Sequence, residues 1–105
     1  MNSVIKIGEQ EYKLKYTVRA LFTYEQITGT SFTPDKLLNE YTLFYSILIA
    51  NNVNFHLSFD EFIKLCDDDQ NIFIEFRKWF LDVLKQKALL HGEVEDHKAD
   101  DKKKD

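Results

Sequence analysis

The chain has 105 residues, of which 44% are hydrophobic and 30% charged, with three glycines and one proline. That is one domain's worth of material, and the balance excludes a collagen-like, low-complexity or wholly disordered chain. The formal net charge of -4 is split evenly between residues 1–90 and 91–105, which speaks against a nucleic-acid binder, because that class carries a basic face.

The first elements read as a β-hairpin over residues 4–16. Ile5 and Ile7 alternate with Lys6, and Tyr12, Leu14 and Tyr16 alternate with Lys13 and Lys15. This is the period-two pattern of a ribbon with one buried face. Gly8-Glu9-Gln10-Glu11 between them is a polar turn. An isolated hairpin is marginal in water, so its apolar face must rest on helices. Thr17 is placed to cap a helix over 17–28, and Gly29 supplies a left-handed stop.

Thr33-Pro34-Asp35 has the composition of a helix start, with proline at the first helical position and an acid near the positive end of the dipole. The helix expected over 34–51 carries the broadest apolar stripe, from Leu37 to Ile49, and is the candidate central helix. Ser58-Phe59-Asp60-Glu61 is a capping box opening a helix over 58–67. Asp67-Asp68-Asp69 ends it and suits the start of the next helix, expected over 71–90. In that helix Phe73, Phe76, Phe80, Val83 and Leu84 follow a 3–4 spacing, widened by Ile72, Trp79 and Leu90. Gly92 is the expected stop, and 93–105 reads as a disordered tail with Val94 as its one large apolar residue. The fold class is therefore α+β: a hairpin packed on about four helices in a single domain over 1–92.

No apolar run approaches the ~18 residues of a membrane span, and the N-terminus lacks the pattern of a signal peptide. Cys66 is the single cysteine, so no internal disulfide forms. These features make the cytoplasm the expected compartment.

Residue types able to do chemistry are present but scattered. The three aspartates lack the alternating oxygen ligands, glycine and distal glutamate of a calcium loop. His56, His91 and His97 show no ligand spacing with Cys66. Cys66 falls on an apolar helix face, where thiols are usually inert packing. No serine sits in a glycine-flanked elbow, and the glycines are too far apart for a phosphate loop. Glu25, beside an apolar face, is the one candidate acid or base, with Arg19, Lys15 or a tyrosine hydroxyl as structural partner instead. The expectation is a non-enzyme with no catalytic, cofactor or metal site.

Nine Phe and five Tyr are many for so short a chain. Rings at helical spacing are usually core, yet Phe76, Trp79 and Phe80 with Ile72 cover more than one narrow face. Phe73, Phe76, Trp79 and Phe80 are accordingly the candidate partner-binding residues.

The segment Ile7-Gly8-Glu9-Gln10-Glu11-Tyr12-Lys13-Leu14-Lys15, followed by Glu25-Gln26-Ile27-Thr28-Gly29 and Phe32, resembles the opening of tail assembly chaperones from long-tailed phages and prophages. The likeness is clear over 4–32 and architectural over 33–90. It implies a non-enzymatic protein of the host cytoplasm that binds the apolar tape measure protein and keeps it soluble until tail tube subunits polymerise around it. Contact with the tail tube protein and self-association follow from the same resemblance, with no nucleic acid and no membrane as partners. The rival reading is a small acidic regulator or inhibitor from a mobile element, binding a host protein.

Overall fold

A computed structural model describes residues 3–95, with side chains described through residue 86. Its elements run β1 (Ser3–Ile7), β2 (Gln10–Leu14), α1 (Val18–Thr28), α2 (Leu37–Asn51), α3 (Phe59–Asp68) and α4 (Asn71–Glu95). This is the α+β architecture of a hairpin followed by four helices.

β1 and β2 pair antiparallel from Ser3 opposite Leu14 to Ile7 opposite Gln10. Gly8, at φ 64°, turns the chain within the two residues between the strands, a conformation that a side chain disfavours. The second strand thus begins two residues before the expected Tyr12 and ends at Leu14, because the turn is tighter than the polar run suggested. Ile5, Ile7, Tyr12 and Leu14 are buried on one face.

Local chemistry sets most helix ends. The Thr17 hydroxyl accepts from the Ala20 N–H at 3.1 Å and starts α1. Gly29, at φ 82°, closes it by donating to the Glu25 carbonyl at 2.7 Å. Ser58 and Glu61 form the reciprocal capping box of α3. Asp69 ends α3 and accepts through Oδ1 from the Asn71 N–H at 3.1 Å, which opens α4.

Two boundaries differ from the sequence expectation. α2 begins at Leu37, after the Thr33-Pro34-Asp35 turn. The Thr33 hydroxyl donates to the Asp35 carboxylate at 2.7 Å, and Asn39 Nδ2 donates to the Thr33 carbonyl at 3.0 Å. The capping groups are consumed within the turn and do not serve helix amides. α4 continues through Gly92 to Glu95. A helical glycine costs only about 1 kcal/mol relative to alanine, and a helix already propagating can absorb that. The expected tail therefore loses residues 93–95 to the helix, and 96–105 lies outside the described residues.

The core is a chain of aromatic contacts. Tyr12 of β2 meets Phe55 edge-on at 5.2 Å, and Phe55 meets Tyr45 of α2 at 5.7 Å. Tyr45 and Phe44 both contact Phe62 of α3. Phe44 stacks on Phe76 of α4 at 4.2 Å and 7°. Phe76 stacks on Phe80, which meets Phe32, which meets Tyr24 of α1. Rings thus link β2 and every helix through direct contacts. Phe44, Phe62 and Phe76 are 0% exposed.

Three buried polar side chains find partners inside the fold. The Thr42 and Ser46 hydroxyls donate to the carbonyls of Leu38 and Thr42, each at 2.8 Å. Asn52, just past α2, caps the outer edge of β2 at Lys13: its Oδ1 accepts from the Lys13 N–H at 2.8 Å and its Nδ2 donates to the Lys13 carbonyl at 3.1 Å. The side-chain amide therefore takes the place of a neighbouring strand.

Phe44→Ala should destabilise the chain by about 3–5 kcal/mol through lost burial and an unfilled cavity. Asn52→Ala should cost about 1–3 kcal/mol by stripping both Lys13 backbone groups of their partner. Urea unfolding followed by far-UV circular dichroism reads both.

Candidate functional site

The four aromatic residues nominated from sequence lie in the interior. Phe73 is 8% exposed, Phe76 0%, Trp79 7% and Phe80 3%. Phe76 is stacked between Phe44 and Phe80, and Phe73 is stacked on Tyr41 at 3.9 Å. The wide apolar surface of α4 arises because the helix is covered from several sides, by α2, α3, the hairpin and Phe32. Phe73, Phe76 and Phe80 offer a partner almost no surface in the folded chain. Of the fourteen Phe and Tyr residues, eight are buried, five are partly buried, and Phe22 alone is exposed.

Accessible apolar surface lies elsewhere. On α1, Val18 is 63% and Phe22 59% exposed, one helical turn apart and hence on one side. With Arg19, Thr23 and Gln26 they line an open depression of about 390 Å³. Leu37 and Leu38 at the start of α2, Val53 after its end, and Ile74 and Leu81 on α4 are also exposed. The helical spacing of Val18 and Phe22 was visible in the sequence. Their exposure was not, because spacing alone does not say which side of α1 turns inward, and it is the side of Leu21 and Tyr24 that does.

Residues capable of chemistry stay dispersed. Among the described residues no group of three or more His, Cys, Asp or Glu could hold a metal ion. Glu25 is exposed on α1, and its side chain makes none of the contacts expected with Arg19, Lys15 or a tyrosine hydroxyl. The one ion pair among the described residues joins Arg77 Nε to Glu40 Oε1 at 3.0 Å across α4 and α2, with Arg77 exposed and Glu40 largely covered. The Thr33 hydroxyl, followed by its own backbone, holds the Asp35 carboxyl below its usual range.

Cys66 is buried, and burial, followed by the charges of Asp67 and Asp69, raises its thiol from 9.0 to about 11. A thiol held in its neutral form is a poor nucleophile. Burial likewise raises the phenols of Tyr16, Tyr24, Tyr41 and Tyr45. Trp79 Nε1 is a buried donor with no acceptor among the described residues, a condition that typically costs about 1–3 kcal/mol.

No helix among the described residues is long and apolar enough to cross a membrane. Neither a family model, nor a curated protein, nor a solved structure matches this chain.

The thiol gives a pH prediction. The folded chain holds the Cys66 proton more tightly than the unfolded chain, so this group's contribution is constant below pH 9.0 and is lost as pH rises toward about 11. Melting temperatures should fall across that window, and less steeply in Cys66→Ala, where only the buried phenols remain to act in the same direction. At pH 8 a disulfide-exchange reagent should label native Cys66 far more slowly than the urea-unfolded thiol.

Proposed function

We propose that this chain is a non-enzymatic tail assembly chaperone of a long-tailed phage or prophage. In this reading it works in the host cytoplasm, holding the apolar tape measure protein soluble until tail tube subunits enclose it. The sequence likeness over 4–32 supports the reading, and that stretch coincides with the hairpin, α1 and the loop that follows.

One structural observation carries it further. The same segment presents Phe22 and Val18 to solvent, although the rest of the aromatic complement is wholly or partly withdrawn into the core. An exposed Phe and Val one turn apart, in a depression edged by Arg19, Thr23 and Gln26, suit an apolar stripe on a client helix. A contact of this size is weak alone. Several copies along one extended client would hold it by avidity and still release it as the tube advances.

The test is co-expression with a helical fragment of a long-tailed phage's tape measure protein. The fragment should become soluble and co-purify with the chain. Phe22→Asp should weaken that association by about tenfold or more, with the melting temperature nearly unchanged, as expected for an exposed site. Failure of the wild-type chain to solubilise the fragment at any stoichiometry would remove the proposal. Binding that collapses with added salt would favour the acidic inhibitor in its place.

A further inference from the structure

The two edges of the hairpin are treated differently. On β2, Asn52 takes both outward backbone groups of Lys13. Lys13 therefore forms no hydrogen bonds with Val4, its cross-strand neighbour, and in an antiparallel ladder such a pair directs the N–H and C=O of both residues outward. Val4 must turn its own groups to the opposite edge, and Lys6, two residues on, does the same. No contact with these groups of β1 is found among the described residues.

A groove runs beside this free edge, between β1 and α4. One part, of about 220 Å³, is lined at the Val4 end by Ser3, Glu75, Lys78, Trp79 and Asp82 among others. The other, of about 240 Å³, lies at the Lys6 end beside Asp69, Asn71 and Glu75. The two share Val4, Ile5 and Glu75 and so form one continuous trough. Trp79, whose indole N–H lacks an acceptor, belongs to its lining.

We propose that this edge docks a second copy of the chain, β1 against β1 in antiparallel register across a two-fold axis at Ile5, giving one four-stranded sheet. In that register Val4 lies opposite the partner's Lys6, and the outward N–H and C=O groups of both residues are exchanged in full. The two lysines are kept apart, as a stable ladder requires. The partner's Lys6 arrives at the Val4 end of the trough, where Glu75 and Asp82 outnumber Lys78. The occupant is thus self-complementary in hydrogen bonding and in charge, the condition for an isologous dimer. Lys6 also has a second role: a lysine on an edge strand deters indiscriminate pairing, so this edge accepts only a strand whose partner side supplies acids. The inference does not depend on the client reading, since it concerns the other side of the hairpin from α2 and no client is involved.

The joint is five residues long and falls short of the ~800 Å² per partner of a stable interface, so dimerisation is weak and should be followed by sedimentation equilibrium of the full chain from ~10 µM to ~1 mM. A monomer–dimer equilibrium is expected. Val4→Pro removes the outward N–H without touching a bond to β2, and it should weaken dimerisation at least tenfold with an unchanged circular dichroism spectrum. Should that variant misfold, a charge exchange gives the same information. Asp82 lies at the Val4 end and away from its own Lys6, so Lys6→Glu and Asp82→Lys should each weaken the dimer several-fold, and the double variant should restore it. A chain that stays monomeric at the top concentration, a Val4→Pro dimer as tight as wild type, or a double variant no better than the singles overturns the proposal. So does a monomer that loses its client with Val4→Pro, an outcome that assigns the edge to a client strand.

Discussion

The face-to-face contact of Phe44 and Phe76 is the joint on which the architecture turns. It brings the middle of α2 against α4 at 4.2 Å, and both rings are sealed from solvent. From this stack, contacts lead through Phe62 and Tyr45 to α3 and the hairpin, and through Phe80 and Phe32 to α1. A chain of this length has little room for a core built of aliphatic side chains alone. Large rings supply area per residue, and their edge-on and offset contacts add a directional preference that aliphatic packing lacks. The aromatic excess of the composition is thus mainly a solution to the problem of size.

That solution changes where a function can be sought. A residue that holds α2 to α4 cannot also hold a partner, so any binding surface would be built from what the core leaves over. Among what it leaves are Val18 and Phe22 on α1 and the open edge of β1 beside α4. Both lie on the N-terminal segments.

Much of the fold was legible because its signals are local. Thr17, Gly29 and the Ser58–Glu61 box each act on backbone groups within four residues, so their meaning survives without tertiary context. Alternation in Ile5, Ile7, Tyr12 and Leu14 named the buried face of the hairpin correctly. Thr33 and Asp35 misled because a hydroxyl and a carboxylate that could cap a helix can equally bind each other, and only the position of Asn39 decides between them. Phe73, Phe76, Trp79 and Phe80 misled for a different reason. Periodicity shows which side of a helix is apolar, but how much of its circumference is covered depends on neighbours distant in sequence. Asn52 gave no signal at all, since its partner Lys13 is 39 residues away.

That asparagine has a consequence for how the chain behaves when crowded. A ribbon open along both margins could recruit neighbours on either side and grow into a fibre without limit. Here one amide holds both outward groups of Lys13, so the margin of β2 offers a neighbour fewer free groups than the margin of β1. The ribbon is thereby biased toward pairing on one side and against open-ended growth.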